Sequence, residues 1–131
     1  MILRIKMSDF KIHIKKFEIF KKDAENKTVS HPSRIEAYFC AAYQLIEACA
    51  AKKNFHINKH QLLRSFLTEQ HNIFEDDTEL AWRTFQIIEN QIRPGQEYGG
   101  KINGKELKRA KENFEIIEKI CKEKLHDAKT I

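Results

Sequence analysis

The sequence predicts an all-α fold, an up-and-down bundle of four to five helices, and three observations carry that expectation. Apolar residues recur at spacings of three and four along most of the 131 residues, which is the helical period. Only 4 Gly and 2 Pro are present, too few to punctuate a many-stranded sandwich or barrel, which turns roughly every 8 to 12 residues. Apolar residues make up 41% and charged residues 33%, a balance that supports a buried core with a water-facing exterior. The length fits one domain over 1–131, with the ordered core expected over about 8–125.

The elements follow in order. From Ser8 to Ala24, Phe10, Ile14, Phe17 and Phe20 mark one face of a first helix. Residues 25–32 are polar and end in Pro32, which disfavours helix at His31 and reads as a loop. Ser33 with Glu36 forms a capping box, and Ile35, Phe39, Ala42, Leu45, Ile46, Cys49 and Ala50 follow on one broad face. Between Ala37 and Ala51 only Glu47 is charged, so this second helix belongs at the centre of the core. Asn58 with Gln61 repeats the capping pattern for a short third helix through Leu62, Leu63, Phe66 and Leu67, ending near His71-Asn72. Asp76 or Asp77 caps a fourth, with Glu79 at its positive end and Leu80, Ala81, Phe85, Ile88 and Ile92 on its face. Pro94 and Gly95 stop it. The last helix, Lys105 to Ala128, carries Leu107, Ala110, Phe114, Ile117, Cys121 and Leu125.

Charge and thiols narrow the class. The net charge is +5, but the excess is terminal: residues 1–30 carry +4, 31–100 carry −2 and 101–131 carry +3. Were the first and last helices neighbours, their lysines could form a basic face for a phosphate backbone. The plainer reading is a solvated surface laced with pairs such as Glu115 to Lys119 and Glu118 to Lys122. No apolar run is long enough to span a membrane, and the first residues lack the apolar core of a signal peptide. Cys40, Cys49 and Cys121 are an odd number without a Cys-x-x-Cys pair, as expected of reduced, buried thiols in a cytoplasmic protein.

Signatures of dinucleotide sites, P-loops, zinc proteases and serine hydrolases are absent, so neither cofactor nor metal is expected. His56-x-x-x-His60 would place two imidazoles one turn apart only if both were helical, and Asn58, the expected cap, puts His56 outside. His60 then reads as a structural histidine bonding a neighbouring loop. The aromatic residues at helical spacing read as packing. The loop after helix four is different. Between Arg93 and Gly104 it holds all four glycines, with Arg93, Glu97 and Tyr98 among them, and two helices could have been joined by far fewer residues. Arginine followed closely by a group that moves protons can hold and polarise a phosphodiester. The alternative is that Arg93 caps the helix and Tyr98 packs on the core.

Three features in this order resemble the HEPN superfamily of small prokaryotic helical bundles: the serine-capped, alanine-rich segment Ser33-Arg-Ile-Glu-Ala-Tyr-Phe-Cys-Ala-Ala-Tyr-Gln-Leu-Ile-Glu-Ala48, the Lys59-His60 that opens helix three, and Ile92-Arg93 with Tyr98 after helix four. The resemblance spans roughly residues 8–125. It implies a homodimer in which a late arginine, followed a few residues on by histidine, cleaves RNA without metal. It also implies a common partner, a minimal nucleotidyltransferase acting as antitoxin. Tyr98 stands where the histidine would be. A tyrosine pKa of about 10 makes it a poor general base at neutral pH, which argues against catalysis of the family type and leaves phosphate binding by Arg93. Carried over, Arg93 and Tyr98 are the candidate catalytic pair, and Arg93, Glu97 and Lys101 the candidate phosphate contacts. An earlier pair, Arg64 and His71, is a second candidate. The expected function is binding of RNA or a nucleotide, as the toxin or accessory half of such a pair, with weak metal-independent endoribonuclease activity as its sharpest form. A bundle that binds only a protein partner is the rival.

Overall fold

A computed structural model of the chain describes residues 7–57, 59–94 and 104–129. Five helices pack together, and no strand occurs among the described residues. Helix α1 (Met7–Glu25) and α5 (Gly104–Lys129) both lie against α2 (His31–Lys52). The shorter α3 (Leu63–Glu69) and α4 (Thr78–Gln86) close the remaining side, with α4 touching α2, α3 and α5. No described helix is long and apolar enough to cross a membrane.

α2 is the axis of the bundle, as its near-absence of charge requires. Ile35, Ala41, Ala42, Leu45, Ile46, Ala48 and Ala50 are buried on several of its sides. Its start corrects the sequence reading. The cap is Ser30, whose Oγ accepts from the Ser33 amide at 3.4 Å, and the helix begins at His31. Pro32 falls in the first turn, where its missing N–H is one that no intrahelical carbonyl would have received. Glu36 is therefore not a capping-box acid and is free for another partner.

The other end of α2 is a Schellman motif. The Phe55 amide donates to the Ala50 carbonyl at 2.9 Å and the Asn54 amide to the Ala51 carbonyl at 3.0 Å. Asn54 takes the left-handed conformation, φ 65°, which asparagine tolerates better than most residues. This reversal brings His56 and Ile57 back against α2.

α3 opens with a 3₁₀ turn at His60–Leu62, and the cap expected at Asn58 lies outside the described residues. A second 3₁₀ turn, Glu75–Asp77, precedes α4, and Asp77 occupies the N-cap position without a side-chain cap bond. Beyond Gln86 the helix continues in a form the sequence pattern did not anticipate, a π-helix over Ile87–Ile92.

α1 and α5 meet across α2 through Phe17 and Phe114, whose ring centroids are 6.2 Å apart, and Tyr38 of α2 completes the cluster at 5.2 Å from Phe114. Above it, Lys21 and Lys122 both reach Glu118, at 2.7 and 3.3 Å. The seam between the terminal helices is thus an ion-pair network, and the basic face inferred from charge counting is interrupted there by acid.

Candidate functional site

Along its first half α2 presents Glu36, Phe39 and Tyr43, spaced by three and four and so on one face. The end of the π-helix, the 3₁₀ turn before α3 and the last turn of α4 each deliver one side chain to that face. Arg93 donates through Nε to Glu36 Oε2 at 2.7 Å and through Nη2 to Oε1 at 3.0 Å. Its guanidinium carbon lies 3.7 Å from the Phe39 ring centroid. A bidentate fork and a stacked face together fix the plane of the group. Phe85 supports the platform from below, 5.1 Å from Phe39 and 6.0 Å from Tyr43.

His60 stands edge-on to the same two rings, 5.3 Å from Phe39 and 5.9 Å from Tyr43. Its Nδ1 is hydrogen-bonded to the Glu89 carboxylate, which the π-helix carries. A π-turn widens the helix and re-aims its side chains, and such turns concentrate at functional sites. Here it lets one short stretch supply both Glu89 to His60 and Arg93 to Glu36.

Between these groups lies an open recess of about 380 Å³, lined by His60, Gln61, Gln86, Glu89, Asn90, Arg93 and Pro94. A second, much smaller hollow of about 20 Å³ shares His60, Gln61, Gln86 and Glu89 with it and is lined as well by Arg64 and Trp82. Arg64 stacks on Trp82, 4.4 Å from its ring centroid. Two arginines, each anchored on an aromatic face, thus line adjoining hollows that share one histidine–carboxylate pair. Such an arrangement can hold an anionic group at the guanidinium edges and move a proton at the imidazole.

The structure therefore unites the arginines of two separate sequence-derived candidates, Arg93 and Arg64. It does not unite Arg64 with His71, which lies exposed in the turn beyond α3. Tyr98, Glu97 and Lys101 lie outside the described residues. Glu36, His60 and Glu89 are the members that sequence reasoning missed as site residues. Glu36 was absorbed into a capping box and His60 into a structural role, while Glu89 stood out in no motif. The signal available for Glu89 was its place four residues before Arg93.

Cys40 lies beside this face. Burial, with the Glu36 carboxylate adding to it, pushes its thiol up despite the opposing charge of Arg93. Cys121 is held well above the usual thiol range by burial and by a hydrogen bond with the Cys49 thiol. All three cysteines are free, and thiols raised as those of Cys40 and Cys121 are make poor nucleophiles.

No family model, curated protein or solved structure matches this chain.

Proposed function

We propose that this protein is a HEPN-like bundle that binds RNA or a nucleotide in the cleft between Arg64 and Arg93, with His60 as the group that moves a proton. The observation that carries the reading is the sharing of one recess by an arginine of fixed plane and a histidine held on a carboxylate. These are the two residue types that metal-independent RNA cleavage needs, with the histidine supplied from the start of α3 in place of the position of Tyr98.

The chemistry follows from the pairing. A neutral His60 that donates its Nδ1 proton to Glu89 keeps Nε2 as the basic nitrogen. Nε2 takes the proton of a ribose 2′-hydroxyl as that oxygen attacks the adjacent phosphorus. The P–O5′ bond breaks, the 5′ oxygen leaves with a proton from the imidazolium or water, and a 2′,3′-cyclic phosphate remains. Arginine at the phosphate offsets the charge that builds on its oxygens. Without turnover the same contacts bind phosphate. The resemblance extends this reading to a homodimer that pairs with a minimal nucleotidyltransferase.

The test is cleavage and retention of a labelled mixed RNA in EDTA at low salt. Arg93→Ala and His60→Gln should each lose cleavage, by about 10²-fold or more for a general base, while His71→Ala should retain it. Retention should weaken steeply as salt rises if several phosphates are held. Unchanged affinity and cleavage in Arg93→Ala would overturn the proposal. Absence of RNA retention by the wild-type protein would favour the protein-binding rival.

A further inference from the structure

About three turns along α2 from Glu36, roughly 16 Å on at 1.5 Å per residue, a second polar cluster is set into the core, away from the cleft. Glu47 is 4% exposed, and two histidines face the same oxygen of its carboxylate. His13 Nε2, from α1, is 3.5 Å from Oε2, and His56 Nδ1, from the segment after the Schellman turn, is 3.7 Å from it. The three donor atoms all lie within 4.8 Å of one another. We infer that His13, Glu47 and His56 form a binding site for a divalent transition cation of the Zn²⁺ class.

The hydrogen bonds around the cluster give the reason. His13 Nδ1 lies 2.7 Å from Gln44 Oε1, and an amide oxygen only accepts, so the Nδ1 nitrogen carries the proton. In a neutral imidazole Nε2 then holds a lone pair, directed at a carboxylate oxygen. Two lone pairs so placed call for a cation between them, either a second proton on the ring or a metal ion. The other carboxylate oxygen is already used: Oε1 accepts from the Ile57 amide at 3.1 Å. The Ile57 peptide is fixed in turn by the Tyr43 hydroxyl, which donates to its carbonyl at 3.2 Å. One oxygen is therefore held in place, and the other is offered to both histidines. Burial raises the Glu47 carboxyl, so a bound cation would offset a desolvation cost that the fold already bears.

The spacing fits the class of ion. Tetrahedral zinc with bonds of about 2.0–2.2 Å places its ligand atoms roughly 3.4 Å apart, and the observed 3.5 and 3.7 Å lie a few tenths beyond. His56 is 62% exposed and follows a turn, so its ring can swing to close the rest. A ligating histidine that gives its other N–H to a side-chain oxygen, as His13 does to Gln44, is the usual support around such ions. Two imidazoles and one carboxylate suit zinc and its neighbours, whereas magnesium and calcium prefer oxygen alone. Three protein ligands leave the fourth position to solvent on the side of His56.

The experiment is titration of the metal-free protein with Zn²⁺ against a chromophoric competitor, with Co²⁺ as a spectroscopic probe of tetrahedral geometry. One equivalent should bind in the micromolar range or tighter, with the visible bands of four-coordinate cobalt. His13→Ala and His56→Ala should each weaken binding at least tenfold, and His71→Ala should not change it. Mg²⁺ should not compete. His56 is exposed, so its substitution leaves the fold intact, and circular dichroism of each metal-free variant verifies that. Failure to bind Zn²⁺ in that range, or wild-type affinity in either His13→Ala or His56→Ala, would overturn the site and leave Glu47 as a buried acid flanked by two histidines. Because RNA cleavage is assayed in EDTA at the other cleft, either proposal can fail without the other.

Discussion

Replacing Arg93 by alanine removes two interactions whose sizes can be set from the structure. The fork to Glu36 is geometrically good, but the Glu36 side chain is 44% exposed and that of Arg93 20%, so solvent screens it to about 0.5–1 kcal/mol. The stack on Phe39 at 3.7 Å adds about 1 kcal/mol for a partly desolvated cation. The total, about 1.5–2 kcal/mol, is well within the roughly 5–15 kcal/mol by which a domain of this size is stable. The variant should therefore remain folded, with Tm lowered by about 5–8 °C. Arg93→Lys keeps the charge and loses the fork and the planar stack, so it should recover less than half of the deficit. Urea unfolding of Arg93→Ala, Glu36→Gln and the double variant isolates the pair, whose coupling should be about 0.5–1 kcal/mol. A loss above about 4 kcal/mol would mean that Arg93 is a core strut and not a presented ligand. A loss below about 0.5 kcal/mol would mean that neither fork nor stack forms in solution. Both outcomes refute the reasoning that makes Arg93 a preorganised phosphate group.

Three further outcomes are expected. Ser30→Ala should cost about 1 kcal/mol in urea unfolding by removing the cap of α2, and Ser33→Ala much less; the reverse order would restore the capping box at Ser33. Phe114→Ala, at the buried meeting point of Phe17 and Tyr38, should cost about 3–5 kcal/mol, and a loss under 1.5 kcal/mol would show that α5 is not docked there. Burial first, then the charge of Glu25, raises Tyr38 above its usual 10.0, so the folded chain keeps a proton that the unfolded chain releases, and stability should fall as pH climbs past about 10. The hydrogen bond to Glu118 raises Lys21 above 10.5; its contribution is fully present below that value and is lost as pH rises through the folded one. Tyr38→Phe should lessen the alkaline decline measured by urea midpoints and leave the parts due to Lys21 and to Tyr43, whose hydroxyl burial also raises; an unchanged slope would remove Tyr38 from the account.

The helices were legible because each is specified locally. Apolar spacing alone locates α1, α2 and α5, and the structure places their ends within a few residues of the expected ones. What misled was chemistry that depends on position within a turn. Pro32 breaks a helix from inside but starts one from its first turn, and sequence cannot distinguish the two until Ser30 is seen to cap. The π-helix at Ile87–Ile92 was invisible for a related reason: one extra residue in a turn leaves the apolar pattern of Ile88 and Ile92 almost unchanged. It alters where the polar residues between them point.

That last effect governs the candidate sites. Arg93 stood out because a proline and glycines follow it, but its own partners are Glu36 and Phe39 on α2, and the pair beside it joins Glu89 to His60 across 29 residues, distances in sequence that no local window spans. His60 looked structural because it opens a short helix, and it does touch neighbouring rings as a structural histidine would. Packing and a place in the candidate site are not alternatives here. The aromatic contacts that would mark His60 as core are what hold its ring on edge beside the recess, just as the Phe39 stack aims Arg93. Glu47 shows the same from the other direction: a lone acid in an apolar helix gave no sign of chemistry in the sequence. Its partners are a histidine on α1 and one beyond a Schellman turn, and they meet only once α2 has been packed from one side and capped at its end. In a bundle this small, the central helix reads most clearly as hydrophobic core, and for that reason conceals the polar groups it organises.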